Sequence, residues 1–412
     1  MFNNLSAELK QYCVITANYW AFTLTDGALR MLVVLYFHQL GYSALEVAFL
    51  FLFYEFFGVL TNLLGGWLGA RVGLNRTMNV GLLMQVIALL MLTVPGEWLI
   101  IPWVMFAQAL SGIAKDLNKM SAKSAIKLFV SDHQQDTLYK WVAILTGSKN
   151  TLKGVGFFLG GLLLTLVGFQ SAMLLMAAGL LVVFCLSLLL LKKDLGRVKR
   201  KVKFTELFSK SASVNILSAA RLFLFASRDV WFVVALPVYL SETFGWNAWT
   251  VGGLIALWIV FYGGIQSITP YFTGKKSGRL PDGKSAVGWA IALAVTPLLV
   301  ALSLQFSSAL FIAGLFLFGA LFAINSSLHS YLIVSYAQRE GVSLDIGFYY
   351  MANALGRLIG TLLSGWVFVS FGLSACLLVA SFFIAIAAGI SVFLPRHSSL
   401  SGDRDSHQDN NI

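Results

Sequence analysis

Long apolar runs alternate with short polar breaks along all but the last residues of the chain. A helix needs ~20 consecutive apolar residues to cross the hydrocarbon core of a bilayer. The pattern predicts twelve such spans, at residues 12–39, 46–70, 77–96, 98–125, 138–168, 169–191, 211–240, 247–272, 285–305, 308–336, 345–371 and 372–395. Composition agrees: 58% of the 412 residues are hydrophobic, only 11% are charged, and the mean hydropathy is +0.80. A soluble domain carries about 25% charged residues. The expectation is an all-α membrane protein with twelve transmembrane helices. MFNNLSAELKQYC, at the start, has no basic segment ahead of a cleavage site, so no removable signal peptide is expected.

The basic residues of the loops give the orientation. ARVGLNR, NKMSAKSAIKLFVSDHQQDT, KKDLGRVKRKVK, GKKSGRLPDGK and AQRE fall in every second loop. The alternate loops, LGYSAL, VPGEW, VGFQS, SETFGWNA, LQFSS and FGLSA, carry no Lys or Arg. Basic loops stay in the cytoplasm, so both termini are expected there and the net charge of +11 needs no nucleic-acid partner. The longest basic loop lies at the midpoint. It predicts a six-helix bundle over 1–191, a basic cytoplasmic linker over 192–210, a second six-helix bundle over 211–395, and a polar, disordered cytoplasmic tail over 396–412. LGYSALEV (40–47) and FGWNAWTV (244–251) occupy matching places in the two halves, the internal repeat expected of a rocking transporter.

Two short motifs need opposite treatment. GGWLGARVGLNR (65–76) resembles the loop motif of the major facilitator superfamily, with Gly66, Arg71, Gly73 and Arg76 at matching, gate-forming positions. The acidic residue of that motif is replaced by Ala70, which puts its usual gating ion pair in doubt. GRLPDGKS (278–285) fits the phosphate-cradling P-loop, but a P-loop needs a strand before it and an α/β sheet around it. Here it is a basic turn between two membrane helices, so no nucleotide site is expected and transport must be secondary. Gly154, Gly156, Gly160 and Gly161 in span 5 predict a close helix crossing.

The informative residues are charges inside the apolar spans. Lys149 and Lys153 stand in span 5 at ~15 and ~20 Å from its basic end, four residues apart and so on one helical face. Arg30 lies in span 1, Arg221 and Arg228 in span 7, and Arg357 in span 11. Each costs ~3 kcal/mol at the centre of a bilayer, so all are expected to face water or a partner. The acids within reach are Asp26, Asp229 and Glu55, candidates for charge pairing or proton coupling. Asp26 and Arg30 are i, i+4 neighbours that can meet; Arg228 and Asp229 are adjacent and expected to meet less easily. The positive surplus predicts an anionic substrate. Arginine forks grip oxyanions through paired hydrogen bonds, and lysines add point charge. Arg30, Lys153, Arg228 and Arg357 are the expected clamp. Lys115 and Lys149 are expected at its mouth, and Arg221, Asn18 and Asn353 are further contacts. Asn62, Asn150, Asn325, Tyr349 and Tyr350 can supply neutral contacts. Lys119, Lys123 and Lys127 are expected to snorkel to the interface. FLFYEFF (51–57) reads as packing rather than a binding cage, and His329 as a packed polar residue. Cys13, Cys185 and Cys376 are scattered, which argues against a disulfide framework or a soft-metal site. No metal or cofactor is expected.

Longer runs carry a more specific likeness. NYWAFTLTDGALRM (18–31), FLFYEFFGV (51–59), TNLLGGWLGARVGLNRT (61–77), QALSGIAKDLNKMSAKSAIK (108–127) and WVAILTGSKNTLKGVGFFLGG (141–161) together resemble the ArsJ group, bacterial organoarsenical-efflux permeases of the major facilitator superfamily. GFYYMANALGRLIGTLLSGW (347–366) does so more loosely. The resemblance implies the twelve-helix fold of that superfamily, a monomer in the bacterial inner membrane, and export of 1-arseno-3-phosphoglycerate. A glyceraldehyde-3-phosphate dehydrogenase, the functional partner, makes that compound with arsenate in place of phosphate. Outside, it breaks down to arsenate and 3-phosphoglycerate. The alternatives left by the residues are an organophosphate/phosphate exchanger with the same pocket, and a proton-coupled drug antiporter in which the acids matter. A receptor or scaffold without transport is disfavoured by so many buried charges.

Overall fold

The computed structural model describes residues 7–42, 50–130, 134–191, 195–197, 211–246, 248–275 and 280–396, and the regular elements among them are all helices. They are α1 Ala7–Gln39, α2 Leu52–Val72, α3 Leu74–Met91, α4 Ile101–Phe129, α5 Gln135–Val167 and α6 Phe169–Leu190. There follow α7 Ala212–Phe244, α8 Ala248–Pro270 with a π turn at Tyr271–Lys275, α9 Gly283–Ser303 and α10 Ser308–Tyr336. The last helical stretch, Val342–Ser391, has 50 residues. At 1.5 Å per residue it would run ~75 Å, more than twice the thickness of a hydrocarbon core. Gly372, at φ +77°, breaks it into α11 (342–371) and α12 (373–391). The described α-helices then number twelve, and nine stretches among them, with Val342–Ser391 counted once, are long and apolar enough to cross a membrane. α7 is interrupted at Val233–Val234, because Pro237 cannot donate to the carbonyl four residues earlier. The Ala235 amide at the break is bonded to the Ser364 hydroxyl of α11 at 3.1 Å.

Glycines set how closely these helices approach. A Cβ on Gly156 would lie 2.6 Å from the Leu24 carbonyl, and one on Gly160 2.4 Å from that of Ala28, so α1 and α5 touch backbone to backbone. α7 and α11 repeat the contact: a Cβ on Gly356 would lie 2.1 Å from the Leu222 carbonyl, and one on Gly360 2.6 Å from that of Ala226. Each crossing uses a Gly-x-x-x-Gly pair against a Leu-x-x-x-Ala pair. Two residues beyond the alanine stand Arg30 in one case and Arg228 in the other, so these two arginines occupy equivalent positions.

A second set of glycine crossings joins helices of the first six to helices of the last six. Gly66 on α2 faces the Ser343 carbonyl on α11, and Gly147 on α5 faces the Gly263 carbonyl on α8, each with 2.5 Å available to a Cβ. Hydrogen bonds extend this seam at the end carrying the basic loops. Ser343 donates to the Gly66 carbonyl (2.8 Å), Arg339 to that of Val130 (2.7 Å) and Lys127 to that of Ser335 (3.1 Å). Tyr139 and Thr273 meet at 2.6 Å. The basic end is closed.

The loop motif is used differently from an ion-pair gate. Gly66 makes the α2–α11 crossing just described, and Gly73, at φ +105°, is the whole turn between α2 and α3. Ala70 is fully buried against Leu344, so apolar contact stands where the acid would be. Arg71 lies over the Trp67 ring at 5.0 Å, and Arg76 lines a groove of about 300 Å³ with Asn75, Asn79, Leu188 and Leu191. At the P-loop look-alike, Asp282 caps α9 by accepting from the Ser285 amide, and the Gly283 amide is bonded to the Pro395 carbonyl. Those amides are engaged within the protein. The polar tail beyond Arg396 and most of the 192–210 linker lie outside the described residues; within the linker, the Leu195 carbonyl accepts from Leu74 at 2.8 Å.

The backbone contacts give a direct expectation. Gly356→Val should lower the melting temperature of the purified protein, because overpacking costs about 1–3 kcal/mol. Gly365→Val, whose Cβ meets nothing within 4 Å, should leave it unchanged.

Candidate substrate-binding site

The close α1–α5 crossing brings two charged stretches together. A Cβ on Gly27 would lie 2.7 Å from the Lys153 carbonyl, so Asp26 and Arg30 flank the turn of α5 that carries Lys153. Lys153 lies within electrostatic reach of Arg30, Asp26, Lys149 and Arg357. Lys149 feels Lys119, Lys115, Arg357 and Asp26. Both lysines are half-buried, and no described residue hydrogen-bonds or ion-pairs with either. Lys153 has the Phe157 ring 5.7 Å away. Two lysines that ion-pair with no described carboxylate thus stand one turn apart in the middle of a helix, with Asp26 within electrostatic reach of both.

Asp26 is buried and accepts a 2.7 Å hydrogen bond from the Tyr54 hydroxyl. The Tyr54 ring in turn carries cations: the Arg30 guanidinium carbon lies 4.0 Å from its centroid and the Lys115 ammonium 3.7 Å. Cation–π contact holds both bases at one fully buried ring. FLFYEFF is thus more than packing. One polar atom in an aromatic run escaped the sequence reading, and its only signal was that Tyr, unlike Phe, brings a hydroxyl that needs a partner when buried. The Glu55 side chain lies outside the described residues.

The second half supplies further arginines. Asp229 is fully buried, with Oδ1 receiving Arg228 Nε at 2.6 Å and Oδ2 receiving Arg357 Nε at 3.1 Å. Adjacent in sequence, Arg228 and Asp229 were expected to meet poorly. They meet because the long arginine side chain curls back over its own helix, and the carboxylate then bridges α7 to α11. Arg228 also lies 4.9 Å from the Phe225 ring and 5.5 Å from Phe322. Arg228 and Arg357 keep 15% and 30% of their side-chain surface exposed. Both side chains are therefore partly accessible.

Other expected contacts are engaged elsewhere. Arg221 is buried, donating to Asn353 Oδ1 (2.9 Å) and to the Ser326 carbonyl (3.3 Å) while lying 4.0 Å from the Phe225 ring. It ties α7 to α10 and α11, and Asn353 is its acceptor. Asn18 donates to Ser187 Oγ at 2.8 Å, between α1 and α6, because a buried amide must find a partner where it lies. Asn150 donates to Gln266 (2.7 Å) and Asn325 to the Trp289 carbonyl (2.9 Å), and Asn62 to the Gly58 carbonyl in its own helix (2.5 Å). His329 is buried in α10.

Lys123 and Lys127 overturn the snorkelling expectation. Each is only 4% exposed. The seam between the halves covers this end of α4, so their chains run into protein rather than to the membrane surface. Lys123 donates to Thr146 of α5 (3.0 Å) and to the Tyr350 hydroxyl of α11. Lys119 pairs with Asp116 at 2.6 Å and lies 4.6 Å from the Tyr350 ring.

Comparison with known proteins places this arrangement. The profile of the Major Facilitator Superfamily matches residues 15–340 and 232–410. The chain belongs to the major facilitator superfamily. No curated protein matches it significantly. Among solved structures, the human organic anion transporter MFSD10 (TETRAN) is similar at TM-score 0.74 and 17% identity, covering 93% of this chain and 99% of the other. FucP in its outward conformation gives TM-score 0.75 at 11% identity, over 94% and 99%. A bacterial homologue of the iron transporter ferroportin, outward-facing, gives 0.72 at 15%, over 94% and 99%. At these identities the likeness is one of fold. This superfamily member is a multi-pass membrane transporter of small molecules, not an enzyme, and its fold is the one used for secondary transport.

In this superfamily protein the Asp229 bridge should matter for stability. Asp229→Ala leaves two partly buried guanidiniums without their carboxylate and should cost about 3 kcal/mol. The measurement is thermal unfolding in detergent, where the variant should melt well below the wild type and Asp26→Asn, which still accepts from Tyr54, should fall less.

Proposed function

We propose that this transporter exports an organic oxyanion ester, 1-arseno-3-phosphoglycerate, and so confers arsenate resistance. The observation that carries the reading is the pair Lys149 and Lys153, half-buried and ion-paired with no described residue, with Arg357 within electrostatic reach of both, Arg30 within reach of Lys153, and Asp26 the one acid within reach of both among the described residues. Bases on α1, α5, α7 and α11 then act on one solute. Arg30 and Arg228 sit at equivalent places in the two halves, one for each side of the anion, with Lys153 and Arg357 completing the clamp. Arsenate and phosphate esters are hard oxyanions, suited to guanidinium forks and ammonium charge. The likeness of residues 18–161 to the ArsJ permeases supplies the specific ester.

Orientation and energetics are consistent with export. With the basic loops in the cytoplasm of a bacterial inner membrane, both termini lie inside. An inside-negative potential then drives the anion out by ~2.3 kcal/mol per charge per 100 mV. No proton is required. Asp229 is held by two arginines and Asp26 by Tyr54, which supports charge pairing as the work of the acids rather than drug–proton antiport. The protein works as a monomer, and a glyceraldehyde-3-phosphate dehydrogenase supplies its substrate.

The test is growth on arsenate in an arsenic-hypersensitive strain. Wild-type protein co-expressed with the dehydrogenase should give resistance. Either protein alone should not, and Lys153→Ala should abolish it at equal membrane abundance. Resistance without the dehydrogenase, or none with both proteins present, would overturn the assignment of substrate.

A further inference from the structure

The lysines of α4 form a line. Lys115, Lys119, Lys123 and Lys127 are spaced by four residues, ~6 Å per step, along one helical face leading from the clamp to the basic end. Lys115 belongs to the Tyr54 cage, and Lys127 binds the Ser335 carbonyl in the seam. The two between them do something else. Both approach Tyr350: Lys119 lies 4.6 Å from its ring, and Lys123 is hydrogen-bonded to its hydroxyl and lies 4.9 Å from the ring. Tyr349 packs edge-on to Tyr350 with centroids 5.0 Å apart and carries Arg221 at 5.2 Å. Lys149, Arg221 and Lys119 are all within electrostatic reach of Lys123. Three bases, Lys119, Lys123 and Arg221, thus gather at one tyrosine pair with Lys149 within electrostatic reach of Lys123, and Asp116, bonded to Lys119, is the ion-paired carboxylate described among them.

We propose that Lys119, Lys123, Lys149 and Arg221 form a second oxyanion site around Tyr349 and Tyr350, a loading station on the basic side of the clamp, which Tyr350 plugs while the basic end is closed. The inference rests on the anion reading above. A buried ammonium whose hydrogen bonds go only to hydroxyls lacks the charge compensation that burial demands. Lys123 is in that position, with Thr146 and Tyr350 as its acceptors. Its two acceptors lie on different halves, Thr146 on α5 and Tyr350 on α11. Opening the basic end parts α4 and α5 from α11, so Lys123 keeps Thr146 and loses Tyr350. The place of the phenol oxygen falls to an oxygen of the incoming anion. Arg221 keeps its bonds to Asn353 and the Ser326 carbonyl, which move with it, and faces the three lysines across the opened seam. The anion then passes from Lys123 to Lys149 and on to Lys153, each step within the reach of the next cation.

The station can be probed without knowing the substrate. Thr146→Cys is placed in a chain whose Cys13, Cys185 and Cys376 are replaced by alanine. In everted vesicles the cysteine is reacted from the basic face with an anionic methanethiosulfonate (the ethylsulfonate) and a cationic one (the ethyltrimethylammonium). Relative to 2-mercaptoethanol in solution, the anionic reagent should be favoured about tenfold, the size expected for one charged hydrogen bond. Lys123→Gln, which can still bond Tyr350, should abolish that preference. Lys123→Arg should keep it, and Tyr350→Phe should speed both reagents. Equal rates for the two reagents, a preference that survives Lys123→Gln, or no reaction from the basic face would each overturn the station. Protection by added 3-phosphoglycerate ties the station to a phosphorylated anion. An anionic preference without such protection would keep the station and count against the substrate class proposed above.

Discussion

Burying positive charge without matching negative charge is the constraint around which this protein is organised. Arg30, Lys115, Lys119, Lys123, Lys149, Lys153, Arg221, Arg228 and Arg357 lie inside helices that cross the membrane, while Asp26, Asp116 and Asp229 are the acids described among them. An unpaired charge facing hydrocarbon is costly. Each base is therefore turned inward and held by something: a carboxylate for Arg228 and Arg357, aromatic rings for Arg30 and Lys115, neutral oxygens for Arg221 and Lys123. Lys149 and Lys153 have the least. On the function proposed above, a solute that brings negative charge completes what the protein leaves incomplete.

The packing makes such a pocket possible at this density of charge. Gly156 and Gly160 let α5 lie directly on α1, and Gly356 and Gly360 do the same for α11 on α7. On α1 and α5 the contact sets Asp26 and Arg30 beside the turn that carries Lys153. The crossings within each half are repeats of one another, whereas Gly66, Gly147, Gly263 and Gly347 serve the seam between halves. Rigid contacts inside a half and a hydrogen-bonded seam at one end are what alternating access asks of the fold: each half moves as a body, and the seam is what opens.

Much of this was legible in the sequence because it depends on pattern and length. The spans follow from apolar runs, the division between 371 and 372 from the short FGLSA loop, and the close crossing of α5 from its spaced glycines. Lys149 and Lys153 stood out because lysine is so rarely found in an apolar run. What was not legible depends on rotamers and on partners far away in sequence. Nothing in RDV announces that Arg228 curls back onto Asp229, or that Arg357 reaches the same carboxylate from 128 residues away. Tyr54 looked like its phenylalanine neighbours. Lys123 and Lys127 looked like interfacial lysines, since only the seam of the other half makes their environment a buried one. Asn18 had the right chemistry for a substrate and the wrong neighbour, Ser187.

The most direct measurement is charge-selective ligand stabilisation of the purified wild-type protein. Its melting temperature would be followed against 3-phosphoglycerate, inorganic pyrophosphate, neutral glycerol and a cationic drug such as tetraphenylphosphonium. A ligand that binds only the folded state raises it in proportion to the logarithm of its concentration above Kd. The account predicts stabilisation by the multivalent oxyanions that grows with the logarithm of their concentration and is lost in Lys153→Ala, and none by glycerol or the cation. Stabilisation by the cation, with no response to either oxyanion, would contradict the claim that unbalanced positive charge is what this transporter uses to hold its substrate.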